Sequence, residues 1–149
     1  SNANIKNSMK KMRLKGRLEE IKSGKLKNLI GENRLIIDGG HNINSAISIS
    51  NWVKQQNEKV HLICGMMNDK PHKEFVNQFE NSVNSITLID IPNQKGSISK
   101  EEFKKKLGNK NINTAGSIEE SLLMNNKDKN CIFLCAGSLY LAGEVLNLN

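Results

Sequence analysis

Arg34-Leu35-Ile36-Ile37-Asp38-Gly39-Gly40-His41-Asn42 is the stretch that decides the fold. Its apolar run, Leu35-Ile36-Ile37, is rich in β-branched side chains and suits a buried strand. Asp38 closes the run, and two glycines, a histidine and an asparagine follow. Ile43, Ala46, Ile47, Ile49, Trp52 and Val53 then recur at spacings of three and four, the period of a helix. The stretch therefore predicts strand, tight glycine turn, helix. In parallel α/β sheets such a turn lies at the carboxyl end of the strand, where ligands bind. Asp38 and His41 are candidates for a site there. An equally direct reading is that Asp38 and Asn42 only cap the turn and the helix.

Outward from this stretch the chain keeps the same grammar. Leu18-Glu19-Glu20-Ile21 predicts a short strand, and residues 22–33, with Gly24, Gly31 and Asn33, an irregular or hairpin-like loop. Val60 to Cys64 predicts a strand ending at Gly65, with a helix from near Pro71 that carries Phe75, Val76 and Phe79. Ser85 to Ile91 is a third run. Ser99 with Glu102, and Ser117 with Glu120, have the spacing of capping boxes and open two further helices, with a weak strand, Asn111 to Ala115, between them. Cys131-Ile132-Phe133-Leu134-Cys135 is apolar throughout, as a central strand is. Ala136-Gly137-Ser138 makes another tight turn, before a helix over Leu139 to Leu146. The alternation predicts an α/β fold: an open, mostly parallel, Rossmann-like sheet of about five to six strands with helices on both faces.

Residues 1–3 read as an expression-tag scar, 4–13 as a leader or interdomain linker, and 14–149 as one domain. No run reaches the roughly 18 apolar residues of a membrane span, so no membrane is expected. The net charge of +7 suits anionic partners, but with only 4% aromatic residues no basic-aromatic pattern of a nucleic-acid reader is present. The three cysteines, Cys64, Cys131 and Cys135, sit in apolar runs and read as reduced thiols of a cytoplasmic protein, with no metal-ligand spacing among them. Neither common phosphate loop is present, and no Gly-x-Ser-x-Gly elbow supports a serine hydrolase at His41.

Three glycine turns should share one sheet edge: Asp38 to Asn42, Gly65 to Lys70, and Gly137-Ser138. Ser138 either caps the last helix or offers its hydroxyl, with the helix amides, to a carboxylate. Asp69 and Lys70 read as a solvated loop pair rather than as catalytic residues.

Gly16-Arg17-Leu18-Glu19, Asp38-Gly39-Gly40-His41-Asn42, Gly65 with Asp69-Lys70, and Ala136-Gly137-Ser138-Leu139-Tyr140-Leu141-Ala142-Gly143-Glu144-Val145-Leu146 occur here in order. In this the chain resembles the C-terminal domain of folylpolyglutamate synthase/dihydrofolate synthase, in the Mur ligase superfamily. The likeness runs from about Leu14 to Leu146, and its last stretch is the most specific. Gly40 and Ile43 stand where that family usually has alanine and proline, Leu14 and Lys15 where an aromatic and a proline often stand, and Ala136 where threonine is usual.

The resemblance implies an ATP-dependent carboxylate–amine ligase of folate biosynthesis and one-carbon metabolism. It would add L-glutamate to dihydropteroate or folate through an acyl phosphate. The partners implied are ATP, Mg²⁺ and an N-terminal ATPase domain that carries the phosphate loop and the metal ligands, so this piece alone is expected to be inactive. By matching position, Arg17 and Asp38 would contact ATP, and His41 and Ser138 would lie beside the amino acid. Arginine offers a charged fork to phosphate and Asp38 can accept hydrogen bonds from a ribose. The competing readings are a nucleotide- or anion-binding regulatory module, or another Mur-type amide ligase.

Overall fold

The computed structural model describes residues 17–108 and 111–149. The leader, and Leu14 to Gly16 of the first motif, lie outside the described residues. In chain order the elements are β1 (Glu19–Ile21), α1 (Lys25–Leu29), β2 (Arg34–Ile37), α2 (Ile43–Lys54), β3 (Lys59–Cys64), α3 (His72–Asn77), β4 (Ser85–Leu88), α4 (Lys100–Leu107), β5 (Asn113–Thr114), α5 (Ile118–Leu123), β6 (Cys131–Ala136) and α6 (Leu139–Leu148).

The strands form one sheet in the order β1-β2-β6-β3-β4-β5. β1 runs antiparallel to β2 at one edge, and the other neighbours are parallel. This is the open, mostly parallel α/β sheet expected from the alternation. The apolar β6 is central, between β2 and β3, with all six of its residues buried.

The register sorts side chains between two cores. Ile36, Leu134, Leu62 and Ile86 pair in a row across β2, β6, β3 and β4. They pack with Ala46, Ile49 and Val53 of α2, Phe75 of α3 and Phe103 of α4. Ile37, Cys135 and Ile63 form the neighbouring row, and alternation turns it to the other face. There it meets Leu26 of α1, Leu122 of α5 and Leu141, Ala142 and Val145 of α6. The three thiols are free and buried; burial pushes Cys131 to about 11 and Cys135 to about 12, so both stay protonated near neutral pH.

Both serine caps form. Ser99 Oγ accepts from Glu102 N at 3.2 Å, and Ser117 Oγ from Glu120 N at 3.0 Å. Gly108 ends α4 with φ 63°, the left-handed conformation glycine adopts freely. Several boundaries differ from the sequence expectation. Residues 22–33 contain α1, whose Leu26 is fully buried, rather than an irregular loop alone. Pro71 precedes α3 as its cap residue, with ψ 77°, instead of sitting in the first turn. The third run leaves the sheet after Leu88, although Ile89 N still donates to Cys64 O at 3.0 Å.

Candidate functional site

The turn after β2 is built around Asp38. Its side chain is buried, with 1% exposure, because both carboxylate oxygens face backbone amides. Gly40 N donates to Oδ1 at 2.7 Å, and Leu18 N to Oδ2 at 3.2 Å. Burial pushes the carboxyl up, while the Gly40 amide, the positive charge of Arg17 and the Leu18 amide hold it down. Asp38 thus ties the chain entering β1 to the turn leaving β2.

Gly40 makes that closeness possible. A Cβ built there would lie 2.6 Å from Ser45 Cβ, 2.7 Å from Arg17 Nη1 and 2.9 Å from Asp38 Oδ1. The space an alanine methyl needs is filled by the guanidinium and the carboxylate. Asn42 caps α2, its Oδ1 accepting from Ser45 N at 2.8 Å and Ser45 Oγ at 2.9 Å. The capping reading therefore holds for Asn42, and Asp38 does secure the turn. Beside them Arg17, Asn42, Asn44, Ser45 and Ser48 line a shallow depression of about 230 Å³.

His41 is half-buried and within electrostatic reach of the loop after β3. Burial lowers its pKa, the charges of Lys70 and Arg17 lower it further, and Asp69 opposes them. The balance of these influences favours the neutral imidazole. Lys70 and Asp69, which sequence alone left as an ordinary loop pair, are the electrostatic neighbours of His41.

The turn after β6 locks onto the same edge. Asp38 N donates to Cys135 O at 3.0 Å, joining the ends of β2 and β6. Gly137, at φ 122°, packs so tightly on the end of β3 that a Cβ would lie 2.6 Å from Cys64 Sγ and 2.8 Å from Gly65 O. Ser138 follows at 2% exposure. Ser138 stands at the N-cap position of α6, but its side chain makes no capping hydrogen bond; its carbonyl only accepts the first helical bond, from Ala142 N at 2.9 Å. Ser138 Oγ is left buried with no hydrogen-bond partner among the described residues. Such a group is costly unless something satisfies it.

Arg17, Asp38 and His41 are thus brought together with Lys70, and Ser138 lies on the neighbouring strand's turn at the same edge. No hydrogen bond among the described residues joins Ser138 to that group. Among the described residues no cluster of three or more His, Cys, Asp or Glu side chains could hold a metal ion, and no helix is long and apolar enough to cross a membrane.

Residues 16–139 match the family model described as Mur ligase, glutamate ligase domain. The chain belongs to this family. No curated protein matches its sequence. Among solved structures it is similar to bifunctional folylpolyglutamate synthase/dihydrofolate synthase from Yersinia pestis, with a TM-score of 0.71, 18% identity, and coverage of 89% of this chain and 30% of that one. It is also similar to Mycobacterium tuberculosis folylpolyglutamate synthase complexed with ADP, with a TM-score of 0.73, 15% identity, and coverage of 89% and 32%. A third, E. coli FolC in complex with DHPP and ADP, aligns with a TM-score of 0.64 at 21% identity, covering 79% of this chain and 29% of that one. At these identities the structural likeness establishes a shared fold and no more. The chain spans about 30% of the length of the first of these proteins.

The Mur ligase domain carries one more polar group that the sequence did not single out as a site residue. Glu144, on α6, is 1% exposed. Asn93 Nδ2 lies 3.4 and 3.5 Å from its two oxygens. Burial pushes this carboxyl up, against hydrogen bonds from Asn93 and Gln94 that pull it down. A carboxyl raised on folding binds its proton more tightly in the folded state. Its ionisation costs stability as pH rises through the raised pKa, and that cost is absent below the unfolded value of about 4.3. Glu144→Gln is therefore expected to raise the melting temperature near neutral pH, with the gain vanishing near pH 4. Paired thermal melts at the two pH values check this.

Proposed function

We propose that this domain forms the nucleotide- and glutamate-side face of a cytoplasmic ATP-dependent carboxylate–amine ligase that adds L-glutamate to dihydropteroate or folate. It would work against an N-terminal ATPase domain carrying the Mg²⁺ ligands, and would be inactive without it. The observation that carries the reading is that the turn with a buried Ser138 hydroxyl, unpartnered among the described residues, leaves the same sheet edge as the turns with His41 and Lys70 and the Arg17 segment. ATP, folates and glutamate are all anions, which a cationic edge attracts. Family membership and the fold shared with folate ligases support the same reading. One of those structures holds Mn, AMPPNP and L-glutamate.

ATP would supply the phosphoryl group that activates the folate-type carboxylate as an acyl phosphate. The residues here would do the rest of the positioning. Arg17 presents its guanidinium to phosphate oxygens. Asp38, with both oxygens on backbone amides, contributes to the ATP side by fixing the turn and the Arg17–Leu18 segment. Ser138 donates its free hydroxyl to a carboxylate of glutamate. His41, held neutral, can take up the proton that the attacking amine sheds.

Ser138→Ala and His41→Ala in a full-length ligase are expected to raise the KM for glutamate or lower kcat, with the KM for ATP little changed. Steady-state kinetics varying each substrate separately would show it. The function itself is tested by phosphate release from ATP. In the full-length chain, release should require both L-glutamate and a dihydropteroate or folate substrate, and should match amide formation. Release that ignores glutamate, or ligation by the isolated domain, overturns the reading. Nucleotide binding without ligation by the full-length chain favours the regulatory module instead.

A further inference from the structure

At the opposite, amino-terminal edge of the sheet, three side chains from three elements converge. His61 and Ser85 are register partners on β3 and β4. Ser85 Oγ lies 2.6 Å from His61 Nδ1, and Asp128 Oδ2, from the loop before β6, lies 2.8 Å from His61 Nε2. The imidazole is buried, its ring centroid 5.5 Å from that of Phe133. The loop bearing Asp128 is fixed in turn: Asn33 Nδ2 donates to Asp128 O at 2.7 Å, and Cys131 N donates to Asn33 Oδ1 at 3.0 Å.

We propose that Ser85, His61 and Asp128 form a second chemical site, a serine nucleophile with its base and orienting acid, that takes small acyl esters. In the neutral imidazole the donor–acceptor logic runs one way. A carboxylate only accepts, so Asp128 selects the tautomer with the proton on Nε2, and Nδ1 is then the acceptor for the Ser85 hydroxyl. The ring nitrogens are used in the reverse sense from the familiar serine proteases, but the relation of nucleophile, base and orienting group is the same, and such sites are recognised by geometry rather than by sequence order. That is why the lack of a Gly-x-Ser-x-Gly elbow does not exclude it.

Ser85 also faces space. It lines a depression of about 300 Å³ together with Asn81, Asn84, Ile86 and Ile112. Asn84 Oδ1 accepts from Val60 N at 3.1 Å, which leaves the amide NH2 of this rim residue to donate to a developing oxyanion. Val83, Ile86 and Ile112 give a small acyl group limited apolar contact within a lining that Glu80, Asn81, Asn84 and Asn111 make mainly polar. In the step proposed, Ser85 Oγ attacks the ester carbonyl carbon while its proton passes to His61 Nδ1. The carbon–oxygen bond to the alcohol breaks, the imidazolium returns the proton to the departing oxygen, and acyl-Ser85 remains. Water then repeats the sequence and releases the acid.

The test uses this chain with a fluorophosphonate probe and with p-nitrophenyl acetate, at mildly alkaline pH, read by intact mass, peptide mapping and nitrophenol release. A single adduct should appear on Ser85, forming roughly a hundredfold faster than serine labelling in the urea-unfolded chain. Ser85→Ala should abolish both the adduct and the ester hydrolysis. Asp128 has a side chain 41% exposed, so Asp128→Asn should keep a cooperative melt while slowing labelling about tenfold or more. No adduct on Ser85, or labelling unchanged in a folded Asp128→Asn variant, overturns the proposal. Neither outcome bears on the ligase reading, which concerns the other edge of the sheet.

Discussion

Gly137→Ala is expected to lower the melting temperature of this domain by roughly 5–15 °C, from a loss of about 2–5 kcal/mol. Two separate costs combine. Gly137 sits at φ 122°, a backbone conformation that a side chain opposes. The added methyl would also fall 2.8 Å from a backbone oxygen, that of Gly65, and 2.6 Å from the buried Cys64 Sγ. Neither neighbour can swing aside, since Gly65 O belongs to the main chain and the Cys64 side chain is sealed in the core. The same contact holds the β6 turn against the end of β3, so the substitution should also displace Ser138. Gly31→Ala is the useful control. Gly31 too has positive φ, 59°, but nothing lies within 4 Å of its Cβ position. It should show the conformational cost alone. Thermal melts of the two variants separate crowding from backbone strain, and equal losses would mean that the packing of Gly137 on β3 contributes nothing.

Arg17→Ala in a full-length ligase is expected to reduce kcat/KM for ATP roughly ten- to hundredfold, the size of one lost charge-assisted hydrogen bond of about 1.5–3 kcal/mol. Arg17 is exposed, so its removal should cost the fold little. Its charge is one of the influences that hold Asp38 down and lower the pKa of His41. The pH dependence of turnover should therefore shift along with the ATP kinetics. Arg17→Lys should recover part of the activity, since charge is kept and the planar fork is lost. Unchanged ATP kinetics in Arg17→Ala would remove this residue from the nucleotide side.

Much of this architecture was legible because local chemistry decided it. The apolar run Cys131 to Cys135 read as a central strand and is one, covered on both faces. Ser99 and Ser117 read as caps because the Ser-x-x-Glu spacing is self-contained within a few residues. What escaped the sequence depends on distant partners. α1 is too short to show a period, and its first amides are satisfied from the far end of the chain: Asn149 Oδ1 accepts from Leu26 N at 3.0 Å and Lys27 N at 3.3 Å. No local pattern announces such a cap. The insertion of β6 between β2 and β3 is likewise invisible to element order, and it is what brings the Ser138 turn beside the Asp38 turn.

The site residues divided along the same line. Asp38, with glycines after an apolar strand, stood out at once. Its burial did not, because that follows from the Leu18 amide folding back across β1. Ser138 looked like a cap by position, yet its hydroxyl makes no bond to the helix it precedes. Ser85, His61 and Asp128 carried no signal at all, separated as they are by 24 and 67 residues from the central histidine.

Ligands of this domain are expected to meet the carboxyl edge of its sheet. Backbone amide chemical shifts of the isotopically labelled chain, followed during titration with AMPPNP and then L-glutamate, test it most directly. The nucleotide should move Arg17, Gly39, Gly40, His41 and Lys70, glutamate should add shifts at Gly137 and Ser138, and Asn84, Ser85 and Asp128 at the opposite edge should stay still. Shifts confined to that opposite edge, or none at the three turns with both ligands present, would contradict it.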